Sequence, residues 1–216
     1  MKKIKKLVSL VTSWMLLISM GGVNVFASEI SENEPDIYAQ ELVENIDIEG
    51  ESYTFEYYYN ENSDKSVLIT DETGTEEQIL TFNEETSSFY LNGEKVGDVE
   101  TSDEDGISTR AVDTSWHLTA GPVHLRLSWL AGTSTAVVLA MISAKLGIGA
   151  VYVKTAIGTA GLGVLAASCI GGTLHYSKYY RNLALGQVQY KTNWSFVASN
   201  SDRYGTYTYL STPTVL

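Results

Sequence analysis

The feature that most constrains this chain is an apolar segment of 48 residues, 127–174, in which Lys145 and Lys154 are the only charged side chains. Residues 127–144 and 155–174 form two uncharged stretches of 18 and 20 residues. At about 1.5 Å per residue, a helix of 20 residues spans about 30 Å, the hydrocarbon thickness of a bilayer. The length of these stretches therefore predicts helices that either cross a membrane or fill a protein core.

Composition makes the second stretch, 155–174, a weak membrane anchor on its own. Only six of its 20 residues are large aliphatics, and these contribute about −2 to −4 kcal/mol to insertion. Small residues instead recur at every fourth position, which predicts a smooth stripe along a helix where another helix backbone packs closely. The predicted helix-packing positions are Ala136, Ala140, Ala144, Thr155, Thr159, Gly163, Ala167 and Gly171.

The two stretches together predict a helical hairpin over residues 127–174 that turns near Gly147 and Gly149. Aromatic and basic residues at its ends and at its turn are typical of a membrane interface. The predicted interface residues are Trp129, Lys145, Lys154, Tyr176, Lys178, Tyr179, Tyr180 and Arg181. The same small residues also fit a tight helix pair inside a protein core, and that alternative stays open.

The N-terminus has the pattern of a secretory signal peptide. Four of the first six residues are lysines, an apolar run follows over residues 7–20, and small residues occupy positions 25 and 27. We therefore predict a signal peptide over residues 1–27 that is cleaved after Ala27. Export leaves a single cysteine, Cys169, so no intramolecular disulfide can form.

Charge divides the remaining chain into two regions. Residues 28–110 contain 24 acidic and three basic side chains, whereas residues 111–216 contain two acidic and seven basic ones. Such asymmetry favours an anionic partner for the basic half. We predict an acidic β-rich pro-region over residues 28–99 and a cationic membrane-active region over residues 113–216.

The polar, acidic segment 100–112 between these regions is predicted to be a linker. Exposed polar segments of this kind are preferred sites of proteolytic cleavage. Arg110 is the only basic residue between Lys95 and Arg126. Cleavage of the pro-region after Arg110 is therefore one interpretation, and an uncut flexible linker is the other.

Alternating and β-prone runs separated by turn residues predict an antiparallel β-meander over residues 51–99, with a hairpin at Asn92-Gly93. Two further β-hairpins are predicted around the apolar segment. One has its break at Gly121-Pro122, and the other turns within residues 199–202. The predicted fold class is α+β, with an N-terminal meander and a C-terminal glycine-rich helical hairpin flanked by β-hairpins.

The sequence contains no motif of a known catalytic or cofactor site. His117 and His124 are expected to face each other across the first hairpin, but two ligands without a third make a poor zinc site. The seven bases of the C-terminal region form no cluster, which argues against nucleic-acid binding. We therefore predict no catalytic residue, cofactor or metal, and no enzymatic activity.

A signal peptide, an acidic pro-region and a cationic glycine-rich part follow one another along the chain. This organisation resembles that of large secreted Gram-positive bacteriocins and related membrane-permeabilising toxin precursors. The resemblance implies a secreted or envelope-associated antibacterial protein that acts on bacterial membrane lipid, self-associates and is masked by its own acidic pro-region. Two alternatives are a membrane-tethered envelope binding or immunity protein with an extracellular acidic β-domain, and a soluble secreted β-rich protein with a glycine-rich helical core.

Overall fold

Runs that alternate between apolar and polar residues form most of the strands of one antiparallel sheet. The computed structural model describes residues 35–74, 76–101, 115–167, 171–183, 187–211 and 214–215, without the side chains of 159, 160, 214 and 215. The predicted signal peptide with its cleavage site at Ala27 lies outside the described residues. The same holds for Arg110 and for all of the predicted linker except residues 100 and 101.

The elements within the described residues are strands on either side of three consecutive short helices. The strands are β1 (Val43–Ile48), β2 (Glu51–Tyr59), β3 (Lys65–Asp71), β4 (Glu77–Asn83), β5 (Ser88–Leu91), β6 (Glu94–Thr101), β7 (His117–Trp129), β8 (Gly172–Asn182), β9 (Gln187–Ala198), β10 (Arg203–Leu210) and β11 (Thr214–Val215). The helices are α1 (Thr135–Leu146), α2 (Ala150–Ile157) and α3 (Thr159–Ala167).

Strands β1 to β10 are hydrogen-bonded in chain order, and β11 pairs with β9. All of these pairs are antiparallel. The acidic and cationic regions meet where β6 pairs with β7, for example Val99 with Leu127. Residues 35–215 form one compact unit, so strands of both regions build the same sheet and the same core.

Two of the connecting turns show how local sequence sets the strand register. Glu49-Gly50 joins β1 to β2 and Asn92-Gly93 joins β5 to β6, and all four residues have positive φ. Two successive residues with positive φ define the tight turn whose twist matches that of an antiparallel hairpin. The hairpin expected at Asn92-Gly93 is therefore present.

Helix α1 lies in the core of the sheet. Residues Val137–Ile142 have no solvent exposure at all. The helix is apolar on every side, which is typical of a helix that is surrounded by protein or by lipid. Its start is capped by Ser134, whose Oγ accepts the Val137 N–H at 3.3 Å, and it ends at Gly147 with φ 67°.

The side chains around α1 come from the inner face of strands in both regions. They include Phe55, Val67, Ile69, Leu80, Phe82, Phe89, Leu125, Leu127, Leu174, Trp194 and Phe196. A side chain at every second position of a strand faces the same side of a sheet. The alternation that the sequence shows therefore becomes one apolar surface that curls around the helices.

The expected α+β fold with a helical hairpin over residues 127–174 is wrong, because the protein is β-rich. Both ends of this segment belong to strands, with Leu127 in β7 and Leu174 in β8. The helical part is divided where Gly147 and Gly158 adopt positive φ. Uncharged length alone did not reveal that the ends of the segment are paired with each other as strands.

The expected hairpin at Gly121-Pro122 is also wrong. Residues on both sides of this pair belong to the single long strand β7 and bond to the same partner, β8: Leu118 pairs with Tyr179 and Val123 with Tyr176. Register shifts at Ala120 take up the extra residues. A break in alternation here marks a bulge rather than a reversal of the chain.

No single helix among the described residues combines the length and the apolar character needed to cross a membrane. Helices α1 and α2 meet these requirements together, but the chain bends by 111° between them.

Candidate functional site

The predicted helix-packing positions fall on several elements. Ala136, Ala140 and Ala144 lie on α1 and are buried. Thr155 lies exposed on α2; Thr159, Gly163 and Ala167 lie on α3; and Gly171 precedes β8. The second stripe is thus interrupted at Gly158, because a residue with φ 80° does not continue an α-helix.

Helix α2 lies between the two ends of the sheet and contacts both β1 and β10. On the β10 side, the rings of Tyr152 and Tyr209 meet edge to face at 4.7 Å between centroids. Strand edges with unpaired backbone groups promote aggregation unless another element covers them. We refer to α2 with its contacts to β1 and β10 as the seam.

A buried polar cluster holds the N-terminus of α2 at the seam. The Tyr57 hydroxyl accepts the Ala150 N–H at 2.9 Å, lies 3.0 Å from Ser143 Oγ and donates to Glu44 Oε2 at 3.3 Å. Burial is the main reason that the pKa of Tyr57 is raised, so the hydroxyl keeps its proton. The phenol group of this β2 residue therefore joins β1, α1 and the N-terminus of α2.

Glu44 approaches the same helix end from β1. Its Oε2 accepts the Val151 N–H at 3.4 Å, and Gly149 leaves the carboxylate the space that a Cβ would occupy. Desolvation by burial raises the pKa of Glu44, while the hydrogen bonds from Val151, Ala150 and Tyr57 oppose that rise. The carboxylate is thus placed for a structural role at α2.

The raised pKa of Glu44 leads to a testable prediction. Ionisation costs more in the folded than in the unfolded protein, so Glu44 lowers stability as the pH rises through its folded-state pKa. We expect Glu44→Gln to be as stable as wild type at pH 7, or more stable by up to about 1 kcal/mol. Any gain should disappear below the ordinary glutamate pKa.

Urea denaturation at pH 7 and at pH 4 measures this difference, with Glu56→Gln as the control because Glu56 is exposed on the outer face of β2. A loss of more than about 1 kcal/mol in Glu44→Gln at pH 7 would show that the negative charge itself holds α2.

A second cluster lies on the outer face of β8 and β9 and combines cations with aromatic rings. Cross-strand pairing places Tyr179 opposite Lys191 and Arg181 opposite Gln189. Arg181 Nε and Nη2 donate to Gln189 Oε1 at 3.0 and 2.6 Å. Because positions 188, 190 and 192 are buried, these alternate residues face outward.

Trp116, just before β7, completes this cluster. Its ring centre lies 4.6 Å from Arg181 Cζ and 4.2 Å from Lys191 Nζ, and Lys191 Nζ lies 4.9 Å from the ring centre of Tyr179. Cations over aromatic faces are attracted by the ring quadrupole, which orders long side chains that would otherwise be mobile. We call Trp116, Tyr179, Arg181, Gln189 and Lys191 the cationic surface.

Exposed apolar side chains border the cationic surface. Leu118 lies opposite Tyr179 on β7 and is 53% exposed, and Leu210 lies opposite Lys191 on β10 and is 49% exposed. The sequence contains only two carboxylates after residue 110, Asp113 and Asp202. The surface thus combines positive charge, aromatic rings and apolar margins, which suits an anionic and partly apolar partner.

Three of the eight predicted membrane-interface residues lie on separate elements, in different environments. Trp129 is buried, with its ring stacked on Phe196 at 6.3 Å between centroids. Lys145 Nζ lies 3.8 Å from the ring centre of Phe82, and burial lowers the pKa of Lys145 to about 8. Lys154 lies in the last turn of α2.

The remaining five predicted interface residues lie on β8 and divide between its two faces. Tyr176, Lys178 and Tyr180 pair with the buried residues Trp194, Thr192 and Tyr190, so they share the inner face. Tyr179 and Arg181 face outward and belong to the cationic surface.

Trp116, Gln189 and Lys191 were missed as site residues. The alternation around residues 187–198 indicated a strand, but not which strand it would pair with.

The histidines are arranged differently from the expectation. His124 does not face His117, because both lie on the single strand β7. His124 pairs with His175, and His117 stacks on Tyr180 at 5.0 Å between centroids. In the part of the chain that the structure describes, no group of three His, Cys, Asp or Glu side chains comes together to hold a metal ion.

Comparison with protein-family models, with curated proteins and with solved structures found no match to this chain.

Proposed function

We propose that this is a secreted antibacterial protein that associates with anionic bacterial membranes through its cationic surface and permeabilises them. The observation that carries the proposal is the ordered cluster of Arg181 and Lys191 with Trp116 and Tyr179, bordered by exposed leucines. Each base near an anionic bilayer surface contributes about 1 kcal/mol. Two such bases with aromatic rings give weak, reversible and salt-sensitive attachment.

The apolar helices supply the second element of the proposal. Helix α1 has no charged residue before Lys145, and its residues Val137–Ile142 are packed inside the sheet without solvent exposure. When the protein binds to lipid, the apolar helix α1 would lie close to the bilayer interior, which is as apolar as the protein core. Opening of the seam would then release α1 and α2, which together have the length and composition of a bent membrane-inserting pair.

The acidic region supports the proposal as a mask and folding partner. Its strands β2 to β5 contribute Phe55, Ile69, Leu80 and Phe89 to the core around α1. Cleavage after Arg110 would leave β6 hydrogen-bonded to β7. Proteolytic processing alone would therefore not expose the helices, and contact with the membrane would have to separate the two regions.

Vesicle binding by the secreted chain tests the cationic surface. Wild type is mixed with vesicles of phosphatidylglycerol and phosphatidylcholine, and with vesicles of phosphatidylcholine alone, and binding is measured by co-sedimentation. We expect binding to the anionic vesicles, and a loss of roughly 30-fold in Arg181→Gln/Lys191→Gln, which corresponds to about 2 kcal/mol.

The matched control is Lys65→Gln/Lys95→Gln, which removes the same net charge from the acidic region, where these lysines pair with Glu84 and Asp98. This control should bind within about twofold of wild type, since a difference of 0.4 kcal/mol is about twofold in affinity. Equal losses in the two double variants, or no binding by wild type, would overturn the proposal.

The burial of most of α1 favours a second candidate function, a cell-envelope binding protein whose helices remain permanently in the core. Dye release from the same vesicles separates the two functions. Leakage that follows binding supports permeabilisation. Binding without leakage, together with unchanged viability of Gram-positive indicator strains, supports an envelope binding protein.

A further inference from the structure

Two histidines lie directly opposite each other on neighbouring strands. His124 of β7 pairs with His175 of β8, their rings meet edge to face at 4.7 Å between centroids, and their Nδ1 atoms are within hydrogen-bonding distance. Both side chains are partly buried on the outer face of the sheet, since the neighbouring residues Leu125 and Leu174 are buried on the inner face.

This contact depends on protonation. A hydrogen bond between two imidazole nitrogens needs one nitrogen without a proton, because a protonated histidine donates from both ring nitrogens. One proton can be shared by the pair, whereas a second proton removes the acceptor and places two positive charges in contact. Histidine is the side chain that ordinarily changes charge between pH 5 and pH 8.

The pair lies near the point where the chain enters and leaves the helices. Strand β7 leads into α1, β8 follows α3, and the strands are joined beyond the histidines by the pairs of Leu125 with Leu174 and Leu127 with Gly172. We propose that His124 and His175 form a pH-sensitive clamp that holds β7 against β8 at the base of the helical segment and weakens when both rings are protonated.

Neighbouring groups on three strands bear on this clamp. Arg126 lies two residues along β7 on the same outer face, opposite Thr173 of β8 and Glu100 of β6, and Ser195 of β9 lies opposite His175. Arg126 and Glu100 are therefore neighbours of the pair on this face and carry opposite charges. The clamp concerns strand pairing, so it does not depend on the proposed action on membranes.

The sign of the pH effect follows from linkage. The unfolded chain takes up a proton on each histidine at low pH, whereas the folded pair accepts one. The unfolded state therefore binds more protons, and the stability of the folded protein decreases as the pH is lowered. For one excluded proton, the unfolding equilibrium constant rises up to about tenfold for each pH unit below the histidine range.

The experiment compares wild type, His124→Gln, His175→Gln and His117→Gln by urea denaturation between pH 7.5 and 5.5. His117→Gln is the matched control, because the chain has three histidines and His117 lies outside the pair. We expect wild type and His117→Gln to lose stability steeply towards pH 5.5, and both single variants of the pair to lose up to about tenfold less per pH unit.

A measurement on unaltered protein keeps the proposal testable if the pair variants fold poorly. Histidine ring resonances in folded wild type should show the pair taking up a single proton over this pH range. Independent protonation of both rings, or equal pH slopes in His124→Gln, His175→Gln and wild type, would overturn the clamp.

Discussion

Gly171→Ala is expected to cost roughly 3 kcal/mol or more of folding stability and to leave little folded protein. Gly171 has φ 75°, and a Cβ at this position would overlap the carbonyl group of Leu127 and lie 2.9 Å from Ser128 Cα. These atoms belong to the backbone of β7, which cannot rotate away as a side chain can. The residue predicted to pack one helix on another instead lets the chain leave α3 and pass close to β7.

The matched control for this substitution is Gly132→Ala. Gly132 has φ 86°, but a Cβ there would meet nothing within 4 Å, so the change costs only the left-handed backbone conformation, about 1 kcal/mol. Urea denaturation of both variants separates backbone strain from the collision with β7. If the two variants lose similar amounts of folding stability, the backbone of β7 moves aside without destabilising the protein, and the prediction is contradicted.

Leu139→Ala is expected to lower the free energy of unfolding by about 2–5 kcal/mol. Leu139 lies in the middle of α1 and has no solvent exposure. Truncation removes apolar contacts on every side and leaves a cavity that strands hydrogen-bonded to each other cannot close. Gly163→Leu, in contrast, would meet the flexible end of Glu49, with 2.8 Å between a Cβ and Glu49 Oε1, and should be better tolerated.

Leu130→Ala provides the same chemical change at a leucine that is 58% exposed, and it should alter stability by no more than about 0.5 kcal/mol. Chemical denaturation of the full-length protein in the absence of lipid gives both values. A loss below about 1 kcal/mol in Leu139→Ala would mean that α1 is not packed inside the sheet in solution. Helix α1 could then contact lipid without prior opening of the seam.

The local sequence pattern was sufficient to predict much of the sheet. Alternation between buried and exposed positions indicated the strands of residues 51–99, and Asn92-Gly93 indicated their tight turn, because side-chain direction and turn geometry depend on neighbouring residues. Strand β1 was missed because only two of its residues, Ile46 and Ile48, are apolar and buried, and the segment around them is rich in acidic residues.

The candidate sites depended on pairing over long sequence distances. Trp116 meets Lys191 only because β7, β8 and β9 are neighbours, and Glu44 reaches α2 only because the sheet curls until β1 meets that helix. No spacing in the sequence encodes such contacts directly. The positive charge of the cationic region was evident from composition, but the meeting of Arg181 and Lys191 with Trp116 was not.

The sequence by itself determined the antiparallel β character of the acidic region, the division of charge along the chain and the absence of charge from residues 127–144. Tertiary structure alone decided that Leu127–Trp129 is a strand and that α1 is enclosed by protein. The physical reason is that a helix apolar on every side satisfies a lipid and a protein core equally well. Most of the strands that enclose α1 lie far from it in the chain, and only the folded sheet brings them to the helix.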